Sequence, residues 1–189
     1  MNDNYPKQNL FEGKLVRLTA EDPKSLVEAN IRWGQNSAFG RLLDDEPLRL
    51  WSAKKIKEWI DKELEREPLE PSFSIRTVAD DRLIGFIGAW GLSWAHGDTF
   101  FGIGIGEEDL WGKGYGTEAL QLFLRYAFCE MNLRRVSLNV FGYNPRAIRS
   151  YEKCGFKIEG RQRQALLRDG QRWDMIYMGI LREEWENTA

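Results

Sequence analysis

A short glycine-rich segment at residues 112–116 constrains the fold of this chain more than any other feature. Its glycines alternate with Lys113 and Tyr115, between a predicted strand at residues 100–106 and a predicted helix that begins at Thr117. Glycine permits tight turns, and the first N–H groups of a helix point at one spot at the positive end of its dipole. The segment therefore predicts a phosphate-binding loop or, more simply, a flexible connection between a strand and a helix.

Two common nucleotide-binding motifs fit this segment poorly. A P-loop needs four residues between its first glycine and a Gly-Lys-Ser/Thr sequence, but five residues separate Gly106 from Gly112, and Gly114 replaces the hydroxyl residue. A dinucleotide fingerprint can be aligned at residues 114–119, but it also needs an acidic residue near the next strand. Residues 135–144 contain none, so this motif is only a weak alternative.

The apolar pattern of the remaining sequence predicts an α/β domain with a mixed sheet. Seven segments read as strands and four as helices, in the order β-α-α-β-β-β-α-β-α-β-β. Strand–helix–strand units make some strands parallel, whereas tight turns make others antiparallel. The predicted strands cover roughly residues 14–19, 73–77, 83–90, 100–106, 135–141, 156–166 and 173–181. The predicted helices begin near Asp22, Ser52, Thr117 and Asn144, and residues 34–50 are expected to be irregular.

Composition argues against several classes of function. The 189 residues carry 27 Lys and Arg against 29 Asp and Glu, so the basic surface that nucleic acids or anionic membranes require is not expected. One histidine and two cysteines cannot supply a metal cluster or a disulfide framework. Residues 1–10 read as a loose tail without the apolar core of a signal peptide, so one cytoplasmic domain is expected over residues 11–185.

Two segments resemble the GNAT superfamily of N-acetyltransferases. The family's acetyl-coenzyme A loop, Arg/Gln-x-x-Gly-x-Gly/Ala, falls on residues 111–116, with Trp111 where Arg or Gln is preferred. Residues 144–156 match the family's Asn-x-x-Ala-…-Tyr-x-Lys-x-Gly-Phe segment. Residues 168–178 resemble the closing hairpin of the branch that contains ribosomal-protein N-terminal acetyltransferases and spermidine acetyltransferases. The order of elements agrees from about residue 13 to residue 182, which is nearly the whole chain.

The resemblance implies the GNAT fold, with a mixed sheet of about seven strands flanked by about four helices. It also implies an acyltransferase that uses acetyl-coenzyme A as co-substrate and no metal. The acceptor would be a small amine, such as a polyamine, or a protein N-terminus, and a homodimer is compatible with the resemblance. The residues implied to bind acetyl-coenzyme A are Ile103, Gly104, Ile105, Trp111, Gly112, Lys113, Gly114, Tyr115, Gly116, Thr117, Asn144 and Arg146. The residues implied at the acceptor site are Asp44, Asp45, Glu46, Trp90 and Asp174.

The resemblance assigns the role of catalytic acid to Tyr151, because a phenol can give a proton to the departing thiolate of coenzyme A. The same position also suits a core aromatic residue. The general base is open, since Phe100 stands where many relatives carry a glutamate. Asp174, Glu107, Glu108 or a chain of water molecules could take the proton. A chain without a base could instead be a non-catalytic module that binds acyl-coenzyme A.

The acidic triplet at residues 44–46 is the one sequence clue to the acceptor. In the family, the segment between the first two helices covers the acceptor site, so an acidic cluster there would attract a cationic amine. The same triplet also reads as an ordinary solvated loop, and a protein N-terminus remains an equal competitor as acceptor.

Overall fold

The computed structural model of the protein describes residues 9–20, 22–65 and 70–187. Most of the expected tail, residues 1–8, lies outside the described residues. Its last two residues, Asn9 and Leu10, are bound by Arg125, whose guanidinium donates hydrogen bonds to both of their backbone carbonyls. The chain therefore contacts the domain from the first residue that is described.

Within the described residues seven strands form one mixed sheet, as the sequence predicts. In chain order they are β1 (Val16–Thr19), β2 (Ser72–Thr77), β3 (Leu83–Ser93), β4 (Asp98–Ile105), β5 (Arg135–Phe141), β6 (Lys157–Arg168) and β7 (Gln171–Leu181). Their order across the sheet is β1-β2-β3-β4-β5-β7-β6. All neighbours are antiparallel except β4 and β5, which are parallel because a helix crosses between them.

Six helices flank the sheet in the described part of the chain. They are α1 (Pro23–Trp33), α2 (Ser37–Leu43), α3 (Ala53–Leu64), α4 (Tyr115–Arg125), α5 (Pro145–Lys153) and α6 (Arg182–Glu186), and a π-helical turn (Tyr126–Glu130) extends α4. Three of the four predicted helix starts are confirmed by capping, since Asp22, Ser52 and Asn144 each accept a backbone N–H of the first turn.

Helices α2 and α6 are absent from the sequence prediction, and both are short. Helix α2 lies inside residues 34–50, which were expected to be irregular. It begins at a cap from Asn36, whose side chain accepts the N–H groups of Ala38 and Phe39. With seven residues and a glycine at position 40, α2 is too short and too weak in propensity to show a periodic signal. Tertiary contacts of Phe39 rather than local sequence preference hold it in place.

The two faces of the sheet carry different helices and separate hydrophobic clusters. On one face the buried side chains of α4, including Leu120 and Phe123, pack on Phe101 and the central strands. On the other face α1, α2 and α3 pack around the buried Trp33 and cover Phe86 of β3. The central strands β4 and β5 are thus covered on opposite faces by different sets of helices.

The parallel strands β4 and β5 separate before they end. They pair only where residues 98–100 face residues 135–137. Beyond that point, residues 101–105 and 138–141 have no strand partner across the gap. Each strand keeps its other neighbour, β3 for β4 and β7 for β5, so the sheet stays intact on both sides. The separation leaves a strip of backbone edge open in the middle of the sheet.

Candidate active site

A cleft of about 560 Å³ lies where β4 and β5 separate. One half, called the cofactor half, is built from the loop at residues 111–117 and from α5. The other half, called the acceptor half, is built from α2, β3 and β5. Residues 101–105 of β4 run between the two halves and are shared by them.

The glycine-rich loop has the geometry that an anion-binding loop needs. Gly112 and Gly114 adopt left-handed backbone angles, with φ of +75° and +95°. Gly114 is also the N-cap residue of α4, and no side chain caps the first turn of that helix. The nearby carboxylate of Glu118 turns away and accepts the backbone N–H groups of residues 14–16 instead. The first N–H groups of α4 are therefore available to a negatively charged ligand.

Trp111 and Arg146 join the loop to α5. The indole Nε1 of Trp111 donates a hydrogen bond of 2.7 Å to the carbonyl of Ile105, at the end of β4. The guanidinium carbon of Arg146 lies 3.8 Å from the centre of the same indole ring, a cation–π contact. The loop position where the family prefers Arg or Gln thus holds an aromatic ring, and α5 supplies the guanidinium beside it.

Helix α5 gives the cofactor half a positive wall. Arg146, Arg149 and Lys153 line the cleft from successive turns of this helix. Burial lowers the pKa of Arg146 from its ordinary value, and the charge of Glu108 opposes this change. None of the described residues that line the cleft is a carboxylate, so the positive charges are not neutralised within it.

Tyr151 presents its ring edge-on to Phe101, with 5.8 Å between the ring centroids, and it lines the cleft. Burial, helped by the nearby Cys154, raises the pKa of Tyr151 to about 12, while the charge of Arg146 acts in the opposite direction. Its hydroxyl has no hydrogen-bond partner among the described residues. The phenol is therefore protonated at neutral pH and free to donate its proton to a bound group.

The carboxylates considered as general bases all lie outside the lining of the cleft and are engaged elsewhere. Glu107 is 6% exposed and accepts hydrogen bonds from Arg32, Trp33 and Arg82. Burial alone would raise the pKa of Glu107, but these hydrogen bonds outweigh burial and lower it, so Glu107 stays ionised and anchors the end of β4.

The other two candidate bases also have structural contacts. Glu108 is exposed and accepts a hydrogen bond from the side-chain amide of Asn36. Asp174 accepts the backbone N–H of Gln164, which has a positive φ of 55° beside an irregular stretch of β6. The family's glutamate position holds Phe100, whose ring stacks on Trp90 with centroids 4.6 Å apart. The described cleft therefore contains no carboxylate base.

The predicted acceptor residues are divided by the structure. Trp90 lines the cleft. Asp44, Asp45 and Glu46 are exposed and are not among its lining residues, and neither is Asp174. The Asp44 carboxylate instead accepts the backbone N–H of Glu46, closing its own turn.

Most residues predicted to bind acetyl-coenzyme A do meet at the cleft. Its lining includes ten of them: Ile103, Gly104, Ile105, Trp111, Gly112, Gly114, Gly116, Thr117, Asn144 and Arg146. Lys113 is exposed and Tyr115 packs against the main hydrophobic cluster, and both lie outside the lining.

Sequence reasoning missed residues on both sides of the cleft. Arg149 and Lys153 could have been found, because they follow Arg146 at helical spacing on α5. Phe39 and Leu42 carried no such signal, since α2 was not predicted. Asn139 also lines the cleft, but in the sequence it reads only as the polar residue of an alternating strand.

A sheet opened between two parallel strands, an amide-rich loop and an unengaged phenol meet in this one cleft. The comparisons with known proteins then give the family. Residues 14–157 match the family model of the acetyltransferase (GNAT) domain, which is well over half of the chain. This chain belongs to the GNAT family, and it is an N-acetyltransferase, which confirms the resemblance and the predicted fold.

Relatives described as N-acetyltransferases support the same assignment. The chain is 30% identical over 151 residues to the SPbeta prophage-derived uncharacterized N-acetyltransferase YokL of Bacillus subtilis, covering 76% of this chain and 83% of that protein. It is 30% identical over 131 residues to the spermidine N(1)-acetyltransferase of Vibrio cholerae, covering 68% and 75% respectively. The crystal structure of the Vibrio cholerae spermidine N-acetyltransferase in complex with CoA and spermine has a TM-score of 0.78 and 25% identity, and the match covers 91% of this chain and 98% of that one.

No described helix is both long and apolar enough to cross a membrane. Likewise, the described residues contain no group of His, Cys, Asp and Glu side chains suited to a metal ion.

Proposed function

We propose that this protein transfers the acetyl group of acetyl-coenzyme A to a primary amine, by direct attack of the amine on the thioester. One feature carries this proposal: the separated strands, the amide-rich loop and the Tyr151 hydroxyl all open into the same cleft. The acceptor would be a small amine or a protein N-terminus. Support for an amine comes from the relatives, among which is a spermidine N(1)-acetyltransferase.

The cleft offers groups that suit each part of acetyl-coenzyme A. The N–H groups of Gly112 and of residues 114–117 suit its diphosphate, and the positive side chains of α5 add long-range attraction. Residues 103–105 have no strand partner on the β5 side, and apart from the Ile105 carbonyl, which accepts Trp111 Nε1, this edge suits the amide groups of the pantetheine arm. A backbone N–H on the same edge would stabilise the negative charge that develops on the carbonyl oxygen during attack.

The proposed reaction has a simple balance of bonds and protons. The amine nitrogen forms a bond to the carbonyl carbon, and the bond from that carbon to sulfur breaks. The sulfur receives a proton from the Tyr151 hydroxyl and leaves as a thiol. The attacking nitrogen loses one proton, which restores the Tyr151 hydroxyl through water, so amine and thioester become amide and thiol.

The absence of a carboxylate from the described lining has a consequence for the amine. An ammonium group cannot attack, so the amine must bind in its neutral form or lose its proton to water on entry. The rate should therefore follow the pKa of the acceptor amine itself. We expect kcat/KM to rise with pH until the amine is mostly neutral.

The alternative of a non-catalytic acyl-coenzyme A-binding module conflicts with the relatives named as N-acetyltransferases, although one residue favours it. Phe100 at the family's glutamate position favours it, because the usual base is missing there. The unengaged, protonated hydroxyl of Tyr151 favours catalysis instead.

Thiol release distinguishes the two candidates directly. The protein would be mixed with acetyl-coenzyme A and a panel of polyamines, aralkylamines, amino acid amides and short peptides with free N-termini, and free thiol would be followed over time. Release that depends on the amine is the expected result. Silence across the panel, with calorimetry still showing binding of acetyl-coenzyme A, would favour the binding module.

A further inference from the structure

We propose that the preferred acceptor carries its amine on an uncharged apolar group, and that it is not a polyamine. This inference rests on the proposed function and narrows its acceptor. It concerns the acceptor half of the cleft, where the structure gives the side chains that a bound acceptor would meet.

The acceptor half is apolar along its walls. The residues that line it from α2, β3 and β5 include Phe39, Leu42, Leu43, Phe86, Trp90 and Phe141. Trp90 also exposes 46% of its surface, so part of its ring is open to a ligand. Large apolar walls favour ligands that lose apolar surface from water on binding.

The charges around the cleft disfavour a second positive group on the acceptor. The charged residues among its described lining are Arg146, Arg149 and Lys153, all of them positive. A polyamine keeps at least one ammonium group after the reacting amine has lost its proton. That group would find no described carboxylate in the lining, and it would leave water without compensation.

The acidic side chains beside α2 lie outside the lining of the cleft, so they would act on a bound ammonium group only at a distance and through solvent. Asp44 satisfies a backbone N–H of its own turn, and the carbonyls of Asp44 and Glu46 are bound by Arg168. Arg41 forms an ion pair of 2.5 Å with Asp169, in the turn between β6 and β7. Two arginines therefore lie among the exposed acids of this rim.

Two further residues shape the acceptor half: Gly102 leaves space for a ligand, and Asn139 supplies a polar group. Gly102 of β4 shares a sheet face with Trp90 and Phe86, and a Cβ atom added to it would meet nothing within 4 Å. Asn139 of β5 lies two residues beyond the last β4–β5 pair, as Gly102 does on its own strand. The Asn139 amide nitrogen contacts the sulfur of Met175 at 3.5 Å, which leaves its carbonyl oxygen to accept an N–H of a neutral amine.

A direct competition tests the inference. At saturating acetyl-coenzyme A, kcat/KM for thiol release would be measured with 2-phenylethylamine, spermidine, and tripeptides that begin with Phe or with Lys. We expect 2-phenylethylamine or the Phe peptide to exceed spermidine and the Lys peptide by at least tenfold. The better of the two apolar acceptors tells whether the source is a small amine or a peptide N-terminus.

The outcomes separate this inference from the proposed function. Spermidine at equal or higher kcat/KM would overturn the apolar acceptor and leave the transferase intact. No release with any acceptor, despite binding of acetyl-coenzyme A, would overturn both.

A pair of variants locates the effect in the cleft. Gly102→Val would fill the space beside Trp90, and should lower kcat/KM for 2-phenylethylamine at least tenfold while methylamine changes less than threefold. Gly160→Val is the matched control, because Gly160 also has open space around its Cβ position but lies on the edge strand β6. Equal losses for both amines in Gly102→Val would contradict the apolar slot.

A second substitution keeps the test decisive if Gly102→Val does not fold. Asn139→Asp places a carboxylate in the acceptor half with almost no change in size. The ratio of kcat/KM for spermidine over 2-phenylethylamine should rise at least tenfold. An unchanged ratio would show that charge in this half does not select the acceptor, which overturns the inference.

Discussion

The two halves of the cleft present different kinds of chemical group to a ligand. The cofactor half presents backbone N–H groups and positive side chains, which suit a negatively charged ligand. The acceptor half presents mainly apolar side chains, with Asn139 as a neutral polar group. The difference shows how one fold can keep a single acetyl donor and change its acceptor, because the acceptor half can vary without touching the loop.

The largest effect is expected at Tyr151 of α5, which packs on Phe101 in the stretch of β4 that the two halves share. Tyr151→Phe removes the hydroxyl proposed as proton donor for the leaving thiolate and keeps the ring that packs on Phe101. General acid catalysis contributes about 10²- to 10⁴-fold, so we expect kcat to fall at least about 100-fold. Steady-state thiol release measures this change, and calorimetry should show acetyl-coenzyme A binding within about twofold of the wild type.

The pH dependence gives an independent check on Tyr151. Because its pKa is raised to about 12, wild-type kcat should not decline between pH 7 and 10 through loss of this proton. The raised pKa also stabilises the folded state below pH 10, and this contribution is lost as pH rises toward 12. Tyr151→Phe should therefore resist alkaline unfolding better than the wild type. Wild-type kcat in this variant would remove Tyr151 from the mechanism.

The cofactor half was largely predictable because its parts are close in sequence. Residues 111–117 and 144–151 each carry several site groups, and local rules of glycine conformation and helix capping apply directly to them. Trp111 shows the limit of such rules. Its sequence position predicts a departure from the family, but only the structure shows that Arg146 packs on its ring.

The acceptor half was mostly not predictable because it is assembled from distant elements. Phe39, Phe86 and Asn139 come from α2, β3 and β5, and none belongs to a motif. The helix that carries Phe39 depends on tertiary contacts, which a local pattern does not contain. The acidic triplet was the most visible sequence signal near this half, yet its side chains lie outside the lining.

The second largest effect is expected in the cofactor half alone, as a loss of affinity for acetyl-coenzyme A. Gly114→Val forces a β-branched residue into a left-handed conformation, with φ of +95°, at the start of α4. Such strain costs about 1–2 kcal/mol or more and should displace the loop N–H groups. We expect affinity for acetyl-coenzyme A, measured by calorimetry, to fall by about 5- to 30-fold, since each 1.4 kcal/mol is tenfold.

Gly170→Val is the matched control for strain, because Gly170 has φ of +73° in the β6–β7 turn, away from the loop. Its melting temperature should fall about as much as that of Gly114→Val, with affinity for acetyl-coenzyme A retained. Equal losses of affinity in both variants would mean that general destabilisation, and not the loop, controls binding.

A smaller effect is expected from the positive wall. Arg146→Leu removes a charge and a cation–π contact worth about 0.5–2 kcal/mol, so affinity for acetyl-coenzyme A should fall about tenfold. The variant should also bind with less dependence on salt, because one positive charge has been removed. Arg163→Leu, on exposed β6, is the control and should change neither quantity. An unaltered salt dependence in Arg146→Leu would assign Arg146 a packing role alone.

The smallest effect is expected from the acidic triplet at residues 44–46, which is prominent in the sequence but lies outside the lining of the cleft. The rim acids would be neutralised together in one variant that carries Asp44→Asn, Asp45→Asn and Glu46→Gln. Its KM for spermidine and for 2-phenylethylamine should each change by less than about threefold, because exposed charges outside the lining are screened by solvent and salt. Acetyl-coenzyme A binding should not change. A tenfold rise in KM for spermidine alone would show that these acids reach a bound polyamine, and the apolar walls would then no longer suffice to explain which acceptor the enzyme selects.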